Sequence, residues 1–400
     1  MSNNRTYKKL GELATFSRGL TFSKADVADV SSKKVLRSNN IDLNSHSLNY
    51  SDVACLNETF VIPDEKKLHK GDIFICMSNG STQHLGKVAF IEDDIEYAFG
   101  GFMGAIHPNV KLVYPKYVFY SCLSTEYRRY LASVLNGVNI NNLKWSELSN
   151  FSIPVPPLAT QSQIVSELDL LQSIIDKQKS QLKELDNLAQ AIFYDMFGDP
   201  VENEKGWETK QLGDCFTYIK NGVNIKQDKT QSGLPITRIE TLSNGVFNRD
   251  RMGYAGITDI VKYQQYILND KDLLMSHINS KAYIGRTVMY AKKGDETIIH
   301  GMNLLRLVPV EDLESVFFCY MTKSDYFKKK IANIRKDAVN QSSFAISDLK
   351  KIAVPIPPLP LQQSFAQKVE SIERQKELIN QSIREAQTLF DSRMEYYFGE

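Results

Sequence analysis

The stretch IPVPPLATQ, Ile153 to Gln161, returns two hundred residues later as VPIPPLPLQQ, Val354 to Gln363. In each copy the paired prolines cannot sit inside a helix, because proline has no amide hydrogen and its ring strikes the preceding turn. They end a short extended run, IPVP or VPIP, and turn the chain into a long leucine-rich segment. After the first copy come Ile164, Leu168, Leu171, Ile175, Gln178, Leu182, Leu185, Ala189, Ile192 and Met196, spaced alternately by four and three. That is a heptad seam with one polar position. After the second come Phe365, Val369, Ile372, Lys376, Ile379, Ile383, Ala386, Phe390, Arg393 and Tyr397, with Lys376 and Arg393 as polar breaks. Gly198 and Gly399 stand where helices stop. About 38 helical residues make a rod of roughly 57 Å. One rod cannot bury its seam alone, and the other copy is the partner at hand in the same chain. Each rod has a globular segment at its N-terminal end, so antiparallel pairing is expected, with the globules at opposite ends around a pseudo-twofold axis.

The repeat extends along the chain. Leu158 and Leu359 lie 201 positions apart, and the same offset pairs Gln161 with Gln362, Leu182 with Ile383 and Phe197-Gly198 with Phe398-Gly399. Upstream, Ser146-Glu147-Leu148 matches Ser347-Asp348-Leu349, and KLGELATF near Leu10 resembles QLGDCFTY near Leu212. The organisation is globule, helix, globule, helix, with similar helices and diverged globules. The expected segments are 1–152 and 200–353 for the globules, and 153–199 and 354–400 for the helices.

Composition is that of a soluble globular chain: 42% hydrophobic and 24% charged over 400 residues. No apolar run reaches membrane-span length, and MSNNRTYKKL has no signal-peptide apolar core. Five scattered cysteines (Cys55, Cys76, Cys122, Cys215, Cys319) form no Cys-x-x-Cys pair, which fits a reducing cytoplasm. The net charge of +1 argues against a protein that grips nucleic acid unaided, unless basic faces or partner subunits supply the charge.

Within the globules, VLRSNNIDL, DIFICM, KVAFI, DLLMS, RTVMYA and NLLRLVPV predict strands. PKYVFYSCLSTEYRRYLASVL and LESVFFCYMTKSDYFKKKIANI each predict a helix. The fold class is α+β: two mixed α/β modules and two long helices forming an antiparallel coiled coil. Three loop families recur in both halves. SRGLTFSK parallels IKNGVNIKQ, SNGSTQHLGK parallels HINSKAYIGR, and NGVNINN parallels KDAVNQSS. Asn and Gln suit adenine edges, Arg and Lys suit guanine, and loop cations can hold phosphates. For any one such residue turn chemistry is the better explanation, since Gly, Asn and Ser favour loops anywhere. Whole loops recurring in both halves favour recognition. The DNA-binding candidates of the first globule are Arg18, Lys24, Arg37, Asn39, Ser78, Asn79, Ser81, Gln83, His84, Lys87, Asn139, Asn141 and Asn142. Those of the second are Lys220, Asn221, Asn224, Lys226, Arg238, His277, Asn279, Ser280, Lys281, Arg286, Asn340 and Gln341.

Catalytic patterns are not found. There is no phosphate loop or dinucleotide fingerprint, and the six histidines lack metal-ligand spacing. FGGFMG, Phe99 to Gly104, reads as a closely packed strand, and PDEKK, Pro63 to Lys67, as a solvated turn. The PPL phrases lack the polar residue of an adenine methyltransferase Asn-Pro-Pro-Tyr motif.

Two variable globules, each ending in PPL…Q and a long helix closing in FG, resemble the DNA-specificity subunit of a type I restriction–modification system. The segments IPVPPLATQSQIVSELD, AQAIFYDMFGD, GWETKQLGD and VPIPPLPLQQ carry the resemblance over the whole chain. It implies that each globule is a target-recognition domain for one half of a bipartite asymmetric site in double-stranded DNA. It implies that the helices set the unread spacer and dock two methyltransferase subunits that use S-adenosylmethionine. Restriction/translocase subunits using ATP and Mg2+ join them, so this chain needs no metal or cofactor of its own. The seam residues assigned to the docking helices are Leu168, Leu171, Ile175, Leu182, Leu185, Ile192, Val369, Ile372, Ile379, Ile383 and Phe390. The competing reading is a coiled-coil protein-binding scaffold without DNA recognition, or one that only mediates oligomerisation.

Overall fold

The computed structural model describes residues 5–135, 142–227, 232–339 and 341–399. The chain forms two compact units, Met1–Lys179 with Gln381–Glu400, and Ser180–Asn380. Both long helices exist, Leu158–Phe197 and Leu359–Phe398, each 40 residues and offset by the 201 positions of the repeat. Each unit holds half of each helix.

In the first unit the two halves run antiparallel: Glu167 faces Arg393 and Gln178 faces Ser382. In the second, Asp186 faces Lys376 and Phe193 faces Phe365, again antiparallel. The polar breaks of the seam thereby find partners. Lys376 sits 2.8 Å from Asp186 and 2.9 Å from Glu373, and Arg393 makes a forked pair with Glu167. The seam is broader than the heptad reading. Val165, Phe193, Phe197, Met394 and Phe398, all outside that reading, are buried against the globules. A helix that packs on a partner and on its own globule needs a wider apolar stripe than a two-stranded coil.

The proline phrases work as read. Ser152–Pro154 pairs with Tyr7–Lys9, and Ala353–Ile356 pairs with Glu208–Gln211, so each phrase closes its globule before the helix starts. Gly198 ends the first helix at φ +76°, and Trp207 donates its indole N–H to the Phe197 carbonyl at 2.8 Å. Gly399 follows the second helix without a positive φ.

Each globule is built on a four-stranded antiparallel sheet. In the first the order is Ala14–Arg18, Met103–Pro108, Ile73–Cys76, Val88–Phe90; in the second it is Phe216–Asn221, Leu304–Pro309, Leu273–Ser276, Thr287–Met289. The first adds a five-stranded sheet containing Lys34–Leu36 and Ile95–Phe99, where the second has short 3-10 turns and a two-stranded ribbon. Two expectations need correction. Only Val35 and Leu36 of VLRSNNIDL are strand, the end of Lys34–Leu36, because the Asn40 side chain accepts from the Arg37 amide at 2.7 Å and bends the chain into a 3-10 turn. Each predicted globule helix is two: Pro115–Ser121 with Thr125–Leu135, and Ser315–Lys323 with Asp325–Ile334. The break is a serine N-cap, Ser124 or Ser324, whose hydroxyl accepts the amide of Tyr127 or Phe327 at 3.2 Å.

Candidate nucleic-acid interface

Both globules open a cleft at the same place, between the turn after the Arg37 or Arg238 strand and the loop after the central sheet strand. The first cleft has a volume of about 780 Å³. Its floor is apolar, with Leu20, Phe22 and Met103, and Phe102 stands 72% exposed beside it. Arg37, Asn39, Ser78 and Asn79 are on its walls. Asp52 organises the rim: it accepts from Arg37 at 3.2 Å and from Asn39 at 2.9 Å. Asn79 donates to the Ser38 hydroxyl at 3.1 Å, and its side-chain oxygen takes the Ser81 amide at 3.0 Å.

The second cleft, of about 610 Å³, is lined chiefly by polar groups, among them Glu240, Asn248, Arg251, Asn279 and Arg286. Asn279 donates to the Ser276 hydroxyl at 3.1 Å, and the Arg286 guanidinium lies over the Tyr283 ring at 4.5 Å. Arg238 flanks the cleft, 3.5 Å from Glu240. The same frame therefore presents an apolar-floored surface in one globule and a charged, hydrogen-bonding one in the other.

Several candidates lie elsewhere. Arg18, Lys24, Ser81 and Gln83 of the first globule are exposed but do not line its cleft, and His84 is half-buried. Asn142 is bridged to Ser78. In the second globule Lys220, Asn224, Lys226, Ser280, Lys281 and Gln341 are exposed outside the reading cleft. Two candidates are corrected outright. Lys87 is buried and gives its ammonium to the Ile41 carbonyl at 2.9 Å, so it ties the loop to the globule and cannot meet a ligand. His277 is buried behind Asn221, whose amide donates to its Nε2 at 2.9 Å, and burial pushes the imidazole down to about 4. Asn139, Asn141 and Asn340 lie outside the described residues.

The docking assignment is also corrected. Leu168, Leu171, Ile175, Val369, Ile372 and Phe390 are buried within their units, and Leu182, Leu185, Ile192, Ile379 and Ile383 are partly buried. These side chains hold the helices to each other and to the globules. The outward helix faces carry Leu170, Ile174, Leu188, Leu378 and Leu389 instead.

Sequence reasoning missed Asp52, Phe102, Glu240, Asn248 and Arg251. Phe102 lies inside FGGFMG, whose glycines do serve close packing: a Cβ on Gly104 would come within 2.3 Å of the Trp145 ring. The signal for Phe102 was an aromatic in a glycine-rich turn with no apolar neighbour pattern to bury it. PDEKK forms a 3-10 turn over Asp64–Lys66 with exposed carboxylates, and Lys67, paired to Glu96 at 2.7 Å, begins a short strand.

A Ser17–His107–Asp72 chain links two strands of the first sheet to the residue that precedes a third, Ile73–Cys76, at 2.7 and 2.6 Å. Ser17 sits in mid-strand opposite Ala105 and lines neither reading cleft, so the chain ties strands together. Among the described residues no acid, histidine or cysteine group is arranged to hold a metal, and no helix is long and apolar enough to cross a membrane. All five cysteines are free thiols.

The family model described as type I restriction modification DNA specificity domain matches residues 3–187 and again 204–388. The chain belongs to that family. As a specificity chain it carries the domain twice, in agreement with the internal repeat. It is 24% identical over 390 residues to the type I restriction enzyme EcoKI specificity subunit of Escherichia coli K12, covering 94% of this chain and 83% of that one. It is 38% identical over 188 residues to a type I restriction enzyme MjaX specificity subunit of Methanocaldococcus jannaschii, 46% of this chain and 43% of the relative. Its fold matches the crystal structure of the S subunit of a type I restriction–modification system from M. genitalium, with a TM-score of 0.57 at 13% identity, covering 100% and 98% of the two chains.

Proposed function

We propose that each globule of this specificity subunit reads one half of an asymmetric, two-part DNA site through its cleft, and that the paired helices set the unread spacer. The observation that carries the reading is the recurrence of one cleft frame with unlike linings in the two halves of a duplicated chain. Unlike linings on a common frame suit unlike half-sites. In the polar second cleft, Arg251 and Arg286 suit guanine and Glu240 suits the cytosine amino group; in the first, Phe102 and the apolar floor suit a thymine methyl. Each half-site alone is held weakly, and linkage through the helices raises the affinity of the pair.

In this reading methyl transfer, with S-adenosylmethionine, belongs to two modification subunits docked on the outward helix faces. Cleavage and translocation, with ATP and Mg2+, belong to restriction subunits, and the complex works in the cytoplasm. The purified chain given magnesium or S-adenosylmethionine should turn over nothing. The test is to map methylated adenines genome-wide in cells that express the chain with its modification subunits. A bipartite motif that disappears when the chain is deleted is the expected result. Methylation unaffected by the deletion, or duplex binding that does not weaken with salt, would favour a scaffold.

A further inference from the structure

Arg286 of the second globule faces two clefts. One is the reading cleft; the other, of about 400 Å³, opens on the far side of the same loop, against the helix Asp325–Ile334. Its floor is apolar, with Phe327 and Ile331. Around it stand five cations, Lys281, Arg286, Lys323, Lys328 and Arg335, and among the described residues that line it there is no carboxylate. Two acids sit at its edge. Asp337 takes Lys281 at 3.1 Å and Arg335 at 2.8 Å, and Asp325 takes Lys328 at 3.1 Å. Five cations against two acids leave an excess of three positive charges over an apolar floor, in a chain whose total is only +1.

We propose that this basic cleft seats backbone phosphates of the duplex whose bases the adjoining cleft reads; the proposal rests on the second globule being a DNA reader. Like charges held this close repel one another unless an anion lies between them. A sugar–phosphate strand leaving the reading cleft over Arg286 delivers that anion in register.

The first globule does not repeat the arrangement. The Gly86 and Gly285 turns and the Ser124 and Ser324 caps align the two copies, and place Thr82, Leu123 and Leu135 where the second has Lys281, Lys323 and Arg335, while Arg128 matches Lys328. Lys87, the counterpart of Arg286, is buried. His46 is hydrogen-bonded to the Val88 backbone there and lies near Arg128. The electrostatic grip is therefore concentrated on the second half-site.

The experiment measures duplex affinity against salt for the full chain purified with its modification subunits, in wild type, K281Q and the double variant K323Q/K328Q. Tm reports that each variant is folded. Each phosphate contact contributes about 0.9 to the slope of log affinity on log salt, so the double variant should lose about 2 from the slope and K281Q about 1. The ranking of DNA sequences should not change. Slopes unchanged in both variants overturn the phosphate seat, as does a changed ranking, which would make these cations base readers. A wild-type complex whose duplex affinity ignores salt would refute the DNA reading itself, a different result.

Discussion

Asp72 and Asp272 occupy the same position in the two globules, and both are buried, yet they have different partners. Asp72 meets His107 at 2.6 Å, while Asp272 meets Arg306 at 2.7 Å with both side chains less than a tenth exposed. Removing one partner of a buried pair strands the other, which costs roughly 3–5 kcal/mol. The exposed Arg37–Asp52 pair contributes on the order of 1 kcal/mol or less. Urea unfolding should therefore show D272N strongly destabilised and D52N nearly unchanged, while D52N alters discrimination at the first half-site by freeing Arg37 and Asn39. Equal stability losses would contradict this placement. His277 and His300 are both held neutral by burial, at about 4 and about 3. The unfolded chain, with histidines near 6.5, takes up protons first as pH falls. Stability should then drop by up to about 1.4 kcal/mol per pH unit for each histidine from about pH 6.5 towards 4. H277Q should show a shallower fall of Tm over that range, and an unaltered slope would refute it. His277 was assigned to DNA contact from sequence because a polar side chain in a loop motif looks the same whether it faces solvent or props the loop from behind.

The proline phrase ends in glutamine for a structural reason that spacing alone did not reveal. Gln161 and Gln362 are fully buried. Gln161 accepts the Tyr114 amide at 2.8 Å and donates to the Pro156 carbonyl at 2.7 Å; Gln362 accepts the Glu314 amide at 2.9 Å and donates to the Pro357 carbonyl at 2.7 Å. Each glutamine fastens the first turn of a long helix to the globule that precedes it. Q161A or Q362A leaves buried backbone groups unpaired and should cost about 1–3 kcal/mol, measurable as lowered Tm. A neutral effect would mean the latch is dispensable. The long helices themselves were legible, because prolines and heptads are local signals, and they begin at Leu158 and Leu359, directly after the proline pairs. The serine breaks inside the globule helices were not, since apolar spacing continues across them.

For the whole molecule, duplication was the legible fact, and it carried fold and family together. The clefts were legible only in outline. Their frame lies in recurring loops, but Asp52, Phe102 and Arg251 reach them from segments that match in structure and differ in sequence: the Asp52 and Arg251 carbonyls accept from the corresponding Asn40 and Thr241 side chains, and the Phe102 turn corresponds to the turn after Gly301. Near-neutral net charge conceals a basic cleft in one globule, since a sum over the chain erases local excess. The central claim is that two unlike readers act at a separation set by the helices. The most direct test inserts four residues into both long helices, after Lys179 and after Asn380, and maps methylated adenines genome-wide against the parent. The expected outcome is the same two half-sites with a changed spacer; unchanged spacing, or one uninterrupted motif in the parent, would contradict it.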